Sequence, residues 1–449
     1  MPSASDWFDK FMPGIMRCRL DDLVLETPVQ GMPALSARLG VDIRVKREDL
    51  QPVFSFKLRG AYAKLKSLTA EEKSRGVICA SAGNHAQGVA LAARHLGVEA
   101  VVVMPAITPD IKVNAVEKLG ARVIIHGDDF DTACERALEI AQQDNLIFVH
   151  PYDDPEVITG QATIALELFR QCTSPPEYLF VCIGGGGLAA GIAIVSKYLH
   201  PKTRLIGVEA AESASMKAAV DAGGPVTLNE IGHFAEGVAV KRTGDLTYEL
   251  CSELLDDIIT VDNDEICAAV QDVYEDTRAI AEPAGVLAIA GIKRYFADRP
   301  GSKASVGAIL SGANVNFARL RHIAERAAVG EESEALLGVT IPERPGSFLD
   351  FCQTVGLRGI TEFNYRYSDR NEAHIFVGIA LKQGVAETSA IMDELNRQGL
   401  PVIDLSSNDM ARLHIRHMVG GRARVENERI LRFQFPERPG AMLAFLLGM

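Results

Sequence analysis

Y178-L-F-V-C-I-G-G-G-G-L-A-A-G-I-A-I-V-S-K-Y-L199 holds a unit of α/β structure in one line: an apolar run, four glycines, then a helical segment. A strand apolar throughout predicts a sheet with helices on both faces. Glycines let the backbone approach an anion closely, and the N–H groups opening a helix supply donors at its positive end. Gly184, Gly185, Gly186, Gly187 and Leu188 are therefore a candidate phosphate cradle. Alone, the run can also be read as only a tight turn. It lacks the Lys-Ser/Thr ending of an ATP-binding loop and the spacing of a dinucleotide fingerprint.

Outward from this unit, between about Val41 and Ala324, short β-rich runs alternate with Ala-, Leu- and Glu-rich segments. The runs are VDIRV, GVICA, AVVVM, RVIIH, LIFV, YLFVCI, RLIGVE, DIITV and SVGAIL. That alternation predicts βαβ units and mainly parallel sheet. Near Leu336 the texture changes: LLGVTIP, FLDFCQTVG, TEFNYRYS, AHIFVGIAL, TSAIMDELNRQG and LPVIDLS read as βαββαβ, with Gly399 stopping the second helix. Ferredoxin-like α+β units have this order. I341-P-E-R-P-G-S-F-L-D-F351 returns as F435-P-E-R-P-G-A-M-L-A-F445, an offset of 94 residues. A tandem of two such folds is expected, the second ending at Met449 after one strand and the start of a helix. Such a fragment cannot bury a hydrophobic face by itself, so either the chain is truncated or the fragment docks elsewhere. The expected domains are 1–328, 335–408 and the start of a repeat at 429–449.

The chain has 449 residues, enough for two or three domains, and is 47% hydrophobic and 23% charged, the balance of an ordinary globular protein. A net charge of -13 argues against a general nucleic-acid binder, which needs clustered Lys and Arg. Eight cysteines lie scattered without a C-x-x-C pair and read as buried thiols of a reducing compartment. The N-terminus lacks a signal-peptide pattern, and the apolar stretch Val181 to Val195 is too short and glycine-rich to span a bilayer. A cytoplasmic location without membrane contact is expected.

Three more segments fall near predicted strand ends or loops, where open α/β sheets bind ligands. In S55-F-K-L-R-G-A61, Lys57 precedes a helical pattern; by itself it reads as a surface lysine, and only a phosphate site elsewhere makes it a Schiff-base candidate. S81-A-G-N-H-A-Q-G88 opens a helix where backbone N–H groups with Ser81 and Asn84 suit a second anion such as a carboxylate, or where either side chain simply caps the helix. S311-G-A-N314 places Ser311 at a strand's carboxyl end, with ordinary capping the bland alternative.

Together with A281-E-P-A-G285 and the ERPG repeat, these segments resemble the fold type II pyridoxal-phosphate enzymes, and among them the threonine dehydratases (threonine ammonia-lyases) of the biosynthetic branch with an ACT-like regulatory region. The likeness covers nearly the whole chain. It implies a catalytic domain like the tryptophan synthase β subunit, with two open parallel-sheet subdomains. It further implies that Lys57 carries pyridoxal 5'-phosphate as a Schiff base beside Phe56. Asn84 would bond the cofactor's 3'-oxygen, and Gly184 to Leu188 its phosphate. Ser311 would face the pyridine nitrogen, and Ser81, Ala82, Gly83, Asn84 and His85 would receive the substrate carboxylate.

The implied reaction takes L-threonine to 2-oxobutanoate and ammonia for isoleucine biosynthesis. Lys57, released from the cofactor, becomes the base that removes the α-proton. No metal is implied; Glu209 and Ser213 lie where metal-binding relatives place cation ligands, but carboxylates are few. His85, His233 and His374 have no metal-ligand spacing. A neutral hydroxyl at Ser311 suits elimination over transamination, and Ala82, where related serine racemases carry a serine, disfavours racemisation. L-serine is a second candidate substrate, and a serine or 3-hydroxyaspartate dehydratase a sister reading. An amino-acid sensor with an inactive α/β part is the reading from another class. Feedback by isoleucine or valine in a homotetramer or dimer is implied, weakened if the second repeat is incomplete.

Overall fold

The computed structural model describes residues 3–299, 302–330, 334–356, 358–367, 372–381, 385–406, 408 and 411. They fall into two compact units that meet in sequence at Phe317 and Ala318. The second copy of the ERPG repeat lies outside the described residues.

The first unit carries strands β1 (Val29–Gly31), β2 (Asp42–Arg47), β3 (Val77–Ala80), β4 (Ala100–Met104), β5 (Arg122–Ile125), β6 (Ile147–Phe148), β7 (Tyr178–Cys182), β8 (Arg204–Ala210), β9 (Asp257–Val261) and β10 (Ser305–Leu310). They form two sheets, ordered β1-β2-β10-β7-β8-β9 and β5-β4-β3-β6. Every pairing is parallel except β1 against β2. All nine expected strands are present. The additional edge strand β1 is three residues long and contains Gln30 and Gly31, a composition without strand signal.

The strand alternation assigns the cores. Val77, Cys79, Ala100, Val102 and Met104 share one core with Leu58, Tyr62, Ala86 and Val89 from the helices Lys57–Ser67 and Asn84–Leu96. Their sequence neighbours Ile78, Ala80, Val101 and Val103 pack on the other face against Ala133, Ala137 and Ile140 of the helix Phe130–Gln143. Both faces are buried, which is why these strands show no polar alternation. Each buried Val or Ile contributes on the order of 2 kcal/mol.

The helix that begins at Lys57 is held by close backbone approach and by buried charge. A Cβ on Gly88 would stand 3.2 Å from the backbone of Lys57 and Leu58, and one on Gly160, in the helix Pro155–Gln171, 2.5 Å from Arg59 O. Arg59 is 1% exposed. Its guanidinium donates to Glu48 at 2.7 and 2.8 Å and to Glu167 at 2.6 and 2.8 Å, and Lys46 Nζ donates to Glu167 at 2.6 Å. Deleting one partner of such a network would strand a buried charge, a loss of roughly 3–5 kcal/mol. The position of Lys57 is thus built into the core.

The second unit contains β11 (Glu334–Pro342), β12 (Ile360–Tyr367), β13 (Glu372–Ala380) and β14 (Val402–Asp404), in an antiparallel sheet ordered β12-β13-β11-β14. Helices Ser347–Val355 and Val385–Arg397 interleave them in the expected βαββαβ order. Val339, Ile341, Phe351, Val355, Ile375, Val377, Ile391 and Leu395 fill its core. The ERPG turn ends at Gly346, the N-cap of the first helix, whose φ of 99° favours glycine.

Candidate active site

Three of the quoted loops begin where a parallel strand ends: Ser81 after β3, the glycine run after β7 and Ser311 after β10. Lys57 reaches the same place by another route, as the first residue of its helix. The isolated bridge between Ser55 and Gly312, with Phe56 N donating to Ser311 O at 3.1 Å, fastens the lysine segment to the Ser311 loop.

Lys57 Nζ donates to Pro151 O at 2.8 Å and lies 5.3 Å from the centre of the Phe56 ring. The side chain is half-buried, and among the described residues the amine has no carboxylate partner. Desolvation pulls its pKa down from 10.5 to about 8. A substantial neutral fraction is available near neutral pH, which a Schiff-base lysine requires.

The helix Gly187–Leu199 is capped by Gly186, at φ 98°, and the first N–H to find a helical acceptor is that of Ala190, onto Gly186 O at 2.8 Å. The N–H groups of Gly187, Leu188 and Ala189 are left to an outside acceptor. Glycine is required by the walls of the loop. A Cβ on Gly185 would meet the Tyr152 ring at 2.2 Å, and one on Gly184 the Val238 backbone at 2.9 Å. Thr247 Oγ1 donates to Gly185 O at 2.6 Å, and Asp153 accepts from Thr247 N at 3.0 Å, which ties the Tyr152 segment to the cradle. This donor set fits a phosphate dianion.

The helix Asn84–Leu96 repeats the arrangement. Its N-cap is Gly83, with no side-chain cap, and Gln87 N is the first to reach an acceptor, Gly83 O at 3.3 Å. The N–H groups of Asn84, His85 and Ala86 are again spare. Neither Ser81 nor Asn84 caps the helix: Ser81 Oγ accepts from Gly83 N at 3.2 Å, and Asn84 points elsewhere. His85 Nε2 pairs with Val149 O at 2.9 Å, while Nδ1 is buried without a hydrogen-bond partner. A carbonyl only accepts, so the imidazole carries its proton on Nε2. Burial, with the Lys57 charge second, pushes its pKa to about 3 and keeps it neutral.

Ser311 is 3% exposed and does not cap a helix. Its Oγ accepts from Cys182 Sγ at 3.4 Å and lies 3.5 Å from Ala284 O. It is a neutral hydroxyl with no charged contact in these bonds. Glu209 is fully buried, accepts from Met216 N and Lys217 N at 2.8 Å each, and is raised by burial to about 7. It serves as a helix cap. Among the described residues no group of three His, Cys, Asp or Glu side chains is placed to hold a metal. Of the eight cysteines, Cys79, Cys182, Cys251 and Cys267 are buried, while Cys18, Cys134, Cys172 and Cys352 are half-buried, a correction to the uniform burial expected.

Pro151, Tyr152, Cys182 and Glu282 join the site from outside the four quoted loops. Glu282 sat inside AEPAG as the one charge in an apolar segment, a usable signal; Tyr152 had none, because its role is visible only against Gly185.

Comparison with known proteins adds an independent line. The family described as "Pyridoxal-phosphate dependent enzyme" matches residues 20–312, and "C-terminal regulatory domain of Threonine dehydratase" matches residues 325–415. The biosynthetic L-threonine dehydratase of Escherichia coli is 54% identical over 438 residues, 97% of this chain and 85% of that protein. The chloroplastic biosynthetic threonine dehydratase of Arabidopsis thaliana is 45% identical over 97% of this chain and 74% of that protein. Among solved structures, the processed threonine deaminase isoform 2 of Solanum lycopersicum superposes with a TM-score of 0.70 at 44% identity, covering 72% of this chain and 94% of that one. Serine racemase from Dictyostelium discoideum follows the same fold at 30% identity and a TM-score of 0.63, over 69% of this chain and 99% of that one. With the parallel sheets, the glycine cradle and the half-buried lysine, these place the chain in the fold type II pyridoxal-phosphate dependent enzymes, as a member of the threonine dehydratases.

Proposed function

We propose that Lys57 is the residue on which this threonine ammonia-lyase turns L-threonine into 2-oxobutanoate and ammonia, a step of isoleucine biosynthesis. The observation that carries the assignment is a half-buried amine, lowered to about 8, among two helix N-termini with unpaired N–H groups and the neutral Ser311. When bound, pyridoxal phosphate supplies a carbonyl for Lys57 and an electron sink for the charge left at the α-carbon. Gly184, Gly185, Gly186, Gly187 and Leu188 hold its phosphate, Asn84 its 3'-oxygen, and Ser311 its ring nitrogen, with Phe56 beside Lys57.

The second cradle, Ser81 to His85, binds the substrate carboxylate through backbone N–H groups. Lys57 Nζ, once free, takes the α-proton, and Pro151 O is the acceptor that steadies it. Ala82 carries no exchangeable proton, so no acid stands in that loop position to return a proton from the other side. His85, held neutral, neither competes for the carboxylate nor donates to it as a cation.

Residues 1–328 are assigned the chemistry, and 335–408 the binding of an amino-acid effector, isoleucine or valine, in a cytoplasmic homo-oligomer. L-serine is a secondary substrate, since one methyl group is worth only about 1–3 kcal/mol of discrimination. Incubating the purified holoenzyme with L-threonine and assaying 2-oxobutanoate tests the activity, and Lys57→Ala should abolish both product and visible cofactor absorbance. Product from Lys57→Ala, or D-allothreonine, the Cα epimer of L-threonine, formed as fast as 2-oxobutanoate, would overturn the roles given to Lys57 and Ala82.

A further inference from the structure

Asn314 Nδ2 lies 2.8 Å from Val53 O and 2.7 Å from Asn84 Oδ1, and Asn84 Nδ2 lies 2.6 Å from Glu282 Oε1. The chain of contacts settles which atom is which. A backbone carbonyl only accepts, so the Asn314 atom against Val53 must be the amide nitrogen. Both hydrogens of that nitrogen are then committed, and the Asn84 atom it faces must be an oxygen. The Asn84 nitrogen consequently faces Glu282 and keeps one hydrogen without a protein partner among the described residues.

Room for this arrangement is provided by the SGAN and AEPAG loops themselves. A Cβ on Gly312 would stand 2.2 Å from Glu282 Oε1. Glu282 N donates to Gly312 O at 3.2 Å, and Ala313 N to Phe54 O at 2.9 Å, so both loops and the Lys57 segment are laced together around Asn84. Glu282 is 8% exposed, and burial raises its pKa to about 7.

We infer that Asn314 and Glu282 are positioning residues that lock the Asn84 side-chain amide, so that it presents an N–H donor, and never its oxygen, to the cofactor's 3'-oxygen. The inference rests on the placement of Asn84 at that oxygen given above. An amide free to turn over could also offer its oxygen, placing two acceptors face to face. The lock favours the ionised 3'-oxygen over its protonated form, and a phenolate absorbs at longer wavelength than the corresponding phenol. Asn314 therefore controls cofactor affinity and holoenzyme colour without touching the cofactor.

The test is Asn314→Asp, which keeps size but, ionised, can donate to neither Val53 O nor Asn84. Titrating apo-enzyme with pyridoxal phosphate should show roughly tenfold weaker binding. The visible band of the loaded variant should move toward the shorter-wavelength, protonated form. Asn314→Ala, which adds no charge, should give the same shift at smaller amplitude and carries the test if the aspartate variant does not fold. In an Asn84→Ala background, Asn314→Ala should weaken binding less than twofold, because its route through Asn84 is gone. Fully additive losses, or a wild-type band and affinity in both Asn314 variants, would overturn the lock while leaving the assignment of Lys57 intact. Wild-type apo-enzyme that forms no visible band with pyridoxal phosphate would remove both.

Discussion

Two helix N-termini in the catalytic unit solve one problem with opposite materials. At Gly187–Leu199 the loop proposed to hold the phosphate has no side chains, and its surroundings press on it: Tyr152, Val238, Met216 and Thr247 all lie where a Cβ would have to go. At Asn84–Leu96 the loop carries Ser81, Asn84 and His85, and around Gly83 there is nothing within 4 Å of an added Cβ. A ligand that never leaves suits a cradle fixed by packing from behind. A ligand exchanged at every turnover suits an open loop whose side chains are held one by one.

The largest expected effect breaks this contrast directly. Gly185→Ala must displace the Tyr152 ring, and overpacking of that kind costs up to about 3 kcal/mol, so pyridoxal-phosphate affinity should fall roughly a hundredfold. Gly83→Ala should leave cofactor affinity within about twofold and raise only the KM for threonine, by several-fold. Fluorescence titration of the two apo-enzymes, followed by steady-state kinetics, compares them. Equal losses at both positions would mean the loops are not differently built.

Next comes His85, the buried side chain of the open loop. Its folded pKa of about 3 lies below the unfolded value of 6.5, so the unfolded chain binds the extra proton first. The stability this neutral imidazole contributes is complete above pH 6.5 and declines as pH falls toward 3. Between pH 6.5 and 5 the loss is about 2 kcal/mol. His85→Gln, whose amide still donates to Val149 O, should lose stability less steeply over that window in urea unfolding, with cofactor affinity unchanged. An identical pH slope in wild type and variant would place His85 outside the buried set.

Lys57, between the two loops, gives the third effect. Capture of pyridoxal phosphate needs the neutral amine, so reconstitution of the apo-enzyme should quicken about tenfold per pH unit and level off above about 8. A rise continuing toward 10.5 would show an amine as solvated as any surface lysine.

Much of this contrast was legible beforehand. The nine β-rich runs gave the parallel sheets through their alternation with helical segments, most strongly where a strand is buried on both faces as β3 and β4 are, and three of the four loops announced themselves by their place at a strand's end. What local sequence does not carry is contact between distant segments. Tyr152 matters only because it faces Gly185, and the Glu282–Asn84–Asn314 chain joins residues 198 and 230 positions apart. The Arg59–Glu48–Glu167 network escaped for the same reason: its charges look like ordinary surface residues until the helices are packed.

The smallest effect concerns Ser311, proposed above to face the ring nitrogen of the cofactor. Ser311 has one hydrogen and two lone pairs; Ala284 O, at 3.5 Å, can only accept that hydrogen, and Cys182 Sγ donates to a lone pair from 3.4 Å. A ring nitrogen arriving as an acceptor must win the hydrogen from Ala284 O, which at 3.5 Å is a weak rival. The thiol then works in the same direction, since a hydroxyl that is itself accepting becomes a better donor. Because a thiol is a weak donor, Cys182→Ala should lower pyridoxal-phosphate affinity only about two- to threefold and leave kcat unchanged. A loss approaching the hundredfold of Gly185→Ala would mean that this wall, too, is set by shape, and that packing from behind, more than hydrogen bonding, holds every part of the cofactor.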